Sequence, residues 1–338
     1  MGVNPLAQPL VNVIRGNLVE SQHWGHLAVT NREGKTLFSL GNPNVVAFWR
    51  SAAKPFQAIP LVERAGIEKY GFTGSEIALI TSSHNGEPEH LKTLRNILDK
   101  LGLAESCLQC GPAFPMHTAS AQNLIASGEK YAPAHNACSG KHAGMLALAL
   151  LLNASLEDYI KKDHPVQQEM LKVIGEVCSL TPEQISLGVD GCGVPVFALP
   201  IRSMAMAYAR FSLPEGCFSP ARAKTLQIIR QAMTSHPYFV AGTDRLDTLL
   251  METTKGRLVA KLGAEGVYCI GMVAEGTGLT LKIQDGHSRA IGPVVIHVLK
   301  RLGYLTEQEF HQMQHLYRPI LRNHRGDEIG HLEVAFAM

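Results

Sequence analysis

Apolar and polar positions alternate near both ends of the chain and recur at helical spacing through its middle. "HLAVT" (26–30) and "TLFSL" (36–40) flank the polar turn "NREGK", a pattern that predicts a β-hairpin. Residues 11–49 as a whole read as strands. The period changes after Ser51. "PFQAIPLVERAGIEKYG" carries apolar residues at helical spacing and closes on glycine, and the pattern recurs at 89–102, 119–130, 142–153 and 165–179. Within this stretch the short apolar run "EIALI" (76–80) reads as a strand leading into a polar loop.

From about residue 183 the pattern is mixed. "ISLGVDGCGVPVFALP" predicts strand and loop, "IRSMAMAYARF" and "SPARAKTLQIIRQAMTSH" predict helices, 257–294 predicts a sheet meander, and "GPVVIHVLKRLGYL" a late helix. Strands at both ends with helices between predict an α/β chain of the α+β type. Its N- and C-terminal strands pair in a mainly antiparallel sheet flanked by helices. A helical lobe, about 56–182, is inserted between the sheet-containing parts 1–55 and 183–338. No repeat, low-complexity tract or linker divides the chain, so 1–338 reads as one domain.

Composition narrows the function classes. With 31 basic and 29 acidic residues and no basic run, nucleic acid is not an expected partner. The N-terminus lacks a basic start before an apolar core, and Pro5 and Leu6 stand where a myristoylation site wants a hydroxyl. The longest apolar run, 144–154, is too short to span a bilayer, so no membrane role is expected. Seven scattered cysteines, an odd number, argue against a disulfide framework and for a reducing, cytoplasmic home.

Four segments concentrate reactive groups. In "RSAAKPFQ" (50–57), Ser51 and Lys54 share a face if a helix begins there, and Pro55 requires that beginning. A desolvated lysine then becomes a base for the hydroxyl; an N-cap serine beside a solvated lysine gives the same spacing. "TSSHNGEPEH" (81–90) gathers Ser83, His84 and an amide; a plain loop whose Ser82 or Ser83 caps the following helix is the competing reading. "HNACSGKHAGM" (135–145) places Cys138, Lys141 and His142 on one helical face, and "VDGCGVPVF" (189–197) adds Asp190 and Cys192. Two thiols and a nitrogen make a zinc-like donor set, though two buried free cysteines explain the spacing equally well. Lys261, in "LVAKLGAEGVY", projects from a predicted strand; Arg245 between Asp244 and Asp247 reads as a salt-bridged knot, with a holder of a substrate carboxylate as the other reading; Cys107 and Cys110 read as structural.

Taken in order, "RGNLVESQHWGHLAV", "RSAAKPFQ", "SSHNGE", "NACSGKHAGM", "DGCGVP", "HPYFVAGTDRLDTLLM" and "KLGAEGVY" resemble the L-asparaginase family of the Rhizobium etli thermolabile type over residues 11–338. The resemblance implies a fold like that of serine β-lactamases and serine-type glutaminases, and hydrolysis of L-asparagine. It implies two Ser–Lys dyads, Ser51 with Lys54 and Ser83 with Lys261. It also implies Zn²⁺ held by Cys138, Lys141 and Cys192, although the residues alone would select His142 over a lysine. Arg50 and Asp190 would then meet the substrate carboxylate and ammonium, with His84 and His142 as neighbours. Ser51 is the favoured nucleophile, and zinc a structural or substrate-orienting ion. A homodimer is expected from the frequency of two-fold assemblies. A serine-type glutaminase, or a zinc- or amino-acid-binding protein without turnover, are the alternatives. "SSHN" and "KLGAEG" in place of S-D-N and K-T-G disfavour a penicillin-type enzyme.

Overall fold

The computed structural model describes residues 7–338; the myristoylation reading of residues 1–6 lies outside them. Among the described residues eleven strands fall in two sheets: β1 (Gln8–Arg15), β2 (Leu18–Asn31), β3 (Thr36–Leu40), β4 (Val46–Phe48), β5 (Ser186–Val189), β6 (Pro195–Pro200), β7 (Leu258–Gly263), β8 (Val267–Met272), β9 (Thr277–Ile283), β10 (Ile320–Arg322) and β11 (Glu328–Val334). The larger sheet runs β10-β11-β1-β2-β9-β8-β7, with β3 added on β2. Each pair in it is antiparallel. The predicted hairpin is present, Leu27 facing Leu40. Ends of the chain meet as expected: Val11 faces Val334, and Gly25 faces Ile283. The smaller sheet is β4-β6-β5.

Between β4 and β5 the described chain is helical, and after β5 helices cover the larger sheet. Helix Ile201–Ser212 lies across β2, β8 and β9. Its close approach explains Gly278, where a Cβ would stand 1.9 Å from the Ala205 carbonyl oxygen. Gly271 meets the same helix, a Cβ there standing 2.7 Å from the Tyr208 carbonyl oxygen, while the buried Leu27, Val29, Leu279 and Leu281 alternate with these positions and point to the other face of the sheet. Helices Pro88–Leu101, Pro165–Cys178 and Pro220–Ser235 follow their periodicity, each with proline in the first turn.

Three expectations are corrected. "EIALI" is no strand: it lies in helix Gly74–Ile80, begun by a Thr73–Glu76 capping box. A short apolar run buried on all sides has no face to show, so period alone does not separate the two structures. The helix predicted from Pro55 to Gly71 breaks into Lys54–Gln57, Ile59–Glu63 and Gly66–Tyr70, with Pro60 and left-handed Ala65 interrupting it. The meander ends at β9, because residues 291–301 are helical. No helix among the described residues is long and apolar enough to cross a membrane.

Candidate active site

The first reactive segment sits on an apolar anvil. Arg50–Ala53 form a 3-10 turn that runs into Lys54–Gln57. Beneath it Trp49, Phe56, Tyr208 and Phe211 pack ring against ring at 4.9–6.3 Å, and the Tyr208 hydroxyl donates to the Ala52 carbonyl at 2.7 Å. Arg50 adopts a left-handed φ of 54°, a conformation that costs a non-glycine residue about 1–2 kcal/mol and persists only where surroundings enforce it. Its guanidinium donates Nε and Nη2 to Asp190 Oδ1 at 3.0 and 2.8 Å. Burial works to raise the Asp190 carboxyl, but Lys141 and Arg50 outweigh it and hold it below its ordinary range.

The lysines of the two predicted dyads meet on one hydroxyl, that of Ser83. Helix Gly74–Ile80 delivers the loop holding Ser82 and Ser83, and Ser83 N–H donates to the Val240 carbonyl at 2.9 Å. Lys54 Nζ donates to the Ser82 carbonyl at 2.5 Å and lies 3.0 Å from Ser83 Oγ. Lys261 Nζ reaches the same Oγ at 3.0 Å from β7. Both lysines are buried, at 1% and 0% exposure. Burial pulls Lys261 down to about 7, with Asp247 opposing it and Lys54 reinforcing it. An amine of that kind accepts and returns a proton at neutral pH. Lys54 is thus turned to Ser83, and the hydroxyl of partly exposed Ser51 makes no hydrogen bond among the described residues.

Cys138 precedes helix Ser139–Leu151, as its spacing suggested. Gly140 lets that helix touch helix Gly74–Ile80: a Cβ there would lie 2.1 Å from the Leu79 carbonyl oxygen. Lys141 Nζ donates to Cys192 Sγ at 3.1 Å. The Cys138 thiol is held well below its ordinary range by a hydrogen bond from Cys192, against burial and with help from Lys54 and Lys141; Cys192 is raised in return. Burial works to lower Lys141, yet Cys192, Cys138 and Asp190 keep it above its usual value. His142 does not join them: its Nδ1 meets the Tyr159 hydroxyl at 2.8 Å, and its buried Nε2 has no partner among the described residues. His84 accepts from Gly86 N–H at Nδ1, so Nε2 carries the proton toward Ser139 Oγ at 2.7 Å. Burial holds both imidazoles well below 6.5.

A sequence model of the L-asparaginase II family matches residues 11–334. The chain belongs to the L-asparaginase II family. Membership makes it an amidohydrolase with a small-molecule substrate. Curated proteins offer no match. Solved structures similar to this family member include a β-lactamase from Mycobacterium bovis, 12% identical, covering 82% of this chain and 94% of its own, with a TM-score of 0.41. A candidate β-lactamase from Bacteroides dorei is 13% identical over 82% of this chain and 93% of its own, at 0.42.

Glu87 and Thr243, which the sequence did not single out, join Asn85 and Arg245 in holding this asparaginase-family site together. Glu87 accepts from Thr243 N–H at 2.8 Å and Thr243 Oγ1 at 2.7 Å. Asn85 Nδ2 donates to the Thr243 carbonyl at 3.1 Å, and Arg245 donates to Asn85 Oδ1 at 2.7 Å. These bonds lash the Ser83 loop to the chain before helix Leu246–Thr253. The predicted Asp244–Arg245–Asp247 knot is absent among the described residues, Arg245 being turned to Asn85 and Asp247 to β7. Cys110 donates to the Pro133 carbonyl at 3.4 Å, and burial raises its thiol to about 12, an unreactive state. A cavity of about 960 Å³ adjoins the site; it is lined by Asn85, Asp247 and Leu262 but by neither Ser51 nor Ser83.

Among the described residues no group of three or more His, Cys, Asp or Glu side chains is placed to hold a metal ion. The Cys138, Lys141 and Cys192 set is of another composition, two sulfurs and one nitrogen. Its donors converge, and their chemistry suits a borderline-soft ion such as Zn²⁺.

Proposed function

We propose that this chain hydrolyses L-asparagine to L-aspartate and ammonia by acyl transfer through a serine, as a member of the Rhizobium etli thermolabile type. The observation that supports it most is the run of contacts Lys54–Ser83–Lys261, with Lys261 able to hold or release a proton near pH 7. Ser51 is partly exposed and follows Arg50, whose guanidinium pairs with Asp190. That pair is complementary to an α-amino acid, Arg50 matching its carboxylate and Asp190 its ammonium.

Ser51 attacks the side-chain amide. Lys54 passes a proton through Ser83 to Lys261 and takes the one Ser51 gives up. The network returns a proton to the departing ammonia, and water then cleaves the β-aspartyl ester. A second reading has Ser83 itself attack, since it is the hydroxyl with a base in contact. Zn²⁺ on Cys138, Lys141 and Cys192 would supply a fixed positive charge that orients nearby groups. Glutamine is the competing substrate, for one methylene in a pocket is worth only about 1–3 kcal/mol. Seven free cysteines support a reducing, cytoplasmic setting, and two-fold frequency a homodimer.

Ammonia release from L-asparagine and L-glutamine, measured side by side, tests the reading. The serine that forms the ester loses at least about 10⁴-fold in kcat when changed to alanine. The relaying serine loses about 10²–10⁴-fold. Release unchanged in both Ser51→Ala and Ser83→Ala would refute serine acyl transfer. An intact, zinc-supplied protein that binds asparagine and frees no ammonia would be a binding protein instead.

A further inference from the structure

Asp247 is an anomaly in this part of the fold. It sits in the first turn of helix Leu246–Thr253 and is 1% exposed. Its Oδ2 accepts from Leu262 N–H at 3.2 Å and lies 4.0 Å from Lys261 Nζ, while its Oδ1 has no hydrogen-bond partner among the described residues. A carboxylate so deeply buried and so sparsely hydrogen-bonded is costly unless a cation compensates it. Lys261 is that cation. The Leu262 peptide also accepts from Lys261 Nζ at 2.9 Å through its carbonyl. The N–H and C=O of one residue, Leu262, therefore hold both side chains, and Lys261 Nζ also reaches Ser83.

We propose that Asp247 is a positioning residue for the hydrolysis, its carboxylate anchoring Lys261 on the Ser83 hydroxyl and governing how readily that amine takes and returns a proton. The proposal rests on the asparaginase reading and deepens it. Acyl transfer asks one group to act as base when the serine attacks and as acid when ammonia leaves. A lysine buried without a counter-charge stays neutral and serves only the first step. A carboxylate 4.0 Å away restores the second.

The groups facing Lys261 are few. Asp247 and Arg245 come from the start of helix Leu246–Thr253, Lys54 from the turn after Ser51, and Cys138 from the start of helix Ser139–Leu151. Cys269 faces it directly across β7 and β8, and the Tyr268 hydroxyl lies near Asp247. Of these, Asp247 is the carboxylate, and burial raises Cys269 to about 12.

Asp247→Asn keeps the acceptor for Leu262 N–H and removes the charge. Two readouts are compared with wild type: the acid limb of kcat for asparagine, and the ¹³C titration of the Lys261 ε-carbon in lysine-labelled protein, assigned with Lys261→Arg. Both midpoints move to lower pH by roughly one to three units, and Asp247→Glu brings the limb back toward wild type. A merely structural role lowers kcat and leaves both midpoints in place; either midpoint unmoved overturns the proposal. Should the asparagine variant not fold, Asp247→Ser carries the test with the same two readouts, because it also removes the charge beside Lys261, and unmoved midpoints there refute the link. Wild-type protein that releases no ammonia refutes the asparaginase reading, and the lysine midpoint then still decides whether Asp247 controls Lys261.

Discussion

Lys261 carries a thermodynamic signature that can be read without any substrate. Burial lowers it from 10.5 to about 7 in the folded chain. Between those two values the unfolded chain holds a proton that the folded chain does not. Stability attributable to this group therefore rises with pH across that window and is smallest below pH 7. Over the whole window the change is about 5 kcal/mol, at about 1.36 kcal/mol per unit. Between pH 7 and 9, allowing for half-protonation at the start, it is about 2 kcal/mol. Lys261→Met removes the titration and keeps most of the volume. It also removes the bonds to Ser83 and Leu262, but those losses add a constant. Other groups that titrate here, such as Cys110 and Cys178 with their raised thiols, are common to both proteins and cancel in the difference. Urea unfolding at pH 7, 8 and 9 is the assay. Wild type gains about 2 kcal/mol on the variant from pH 7 to 9, a relative midpoint shift of about 0.7 M at an m-value near 3 kcal/mol/M. A difference constant to within about 0.5 kcal/mol would show that Lys261 titrates in the fold as it does in water. The proton relay would then lose its base.

Two other outcomes follow from the buried polar groups. Gently purified protein holds about one equivalent of zinc, measured by elemental analysis, and Cys138→Ser with Cys192→Ser abolishes it; metal-free wild type would refute the donor set. Burial lowers His84 and His90 below 6.5, so below that pH the unfolded chain takes up protons that the fold resists. Stability then falls on acidification from pH 6.5 to 5, by up to about 1.4 kcal/mol per unit for each histidine. His84→Gln reduces that slope in urea midpoints, and an unchanged slope would contradict its buried neutral state.

Much of the fold was legible in residue patterning because strands, hairpins and helix starts are set by near neighbours. The β2–β3 hairpin follows from alternation around a polar turn. Helices at Pro88, Pro165 and Pro220 follow from proline placed where a missing N–H costs nothing. "EIALI" misled because a run buried on every side shows no amphipathic period; its decisive signal was the Thr73–Glu76 box just before it. At the site, the types of reactive residue were readable and their partners were not. Lys54 reads as the mate of Ser51, three residues away, yet its nitrogen contacts Ser83. Asp190 and Arg50, each expected to meet substrate, meet one another.

By itself the sequence determined the local elements, the reactive residue types and the ordered motifs that mark the family, since each depends on contacts within a few turns of chain. Only the tertiary structure decided which groups touch. Lys261 reaches a serine 178 residues away because β7 closes the sheet beside the loop that Glu87 and Thr243 tie down. The Arg50–Asp190 pair spans 140 residues and Lys141–Cys192 spans 51. Their burial sets how the amines and thiols titrate, and it is a property of the packed interior that periodicity along the chain does not record.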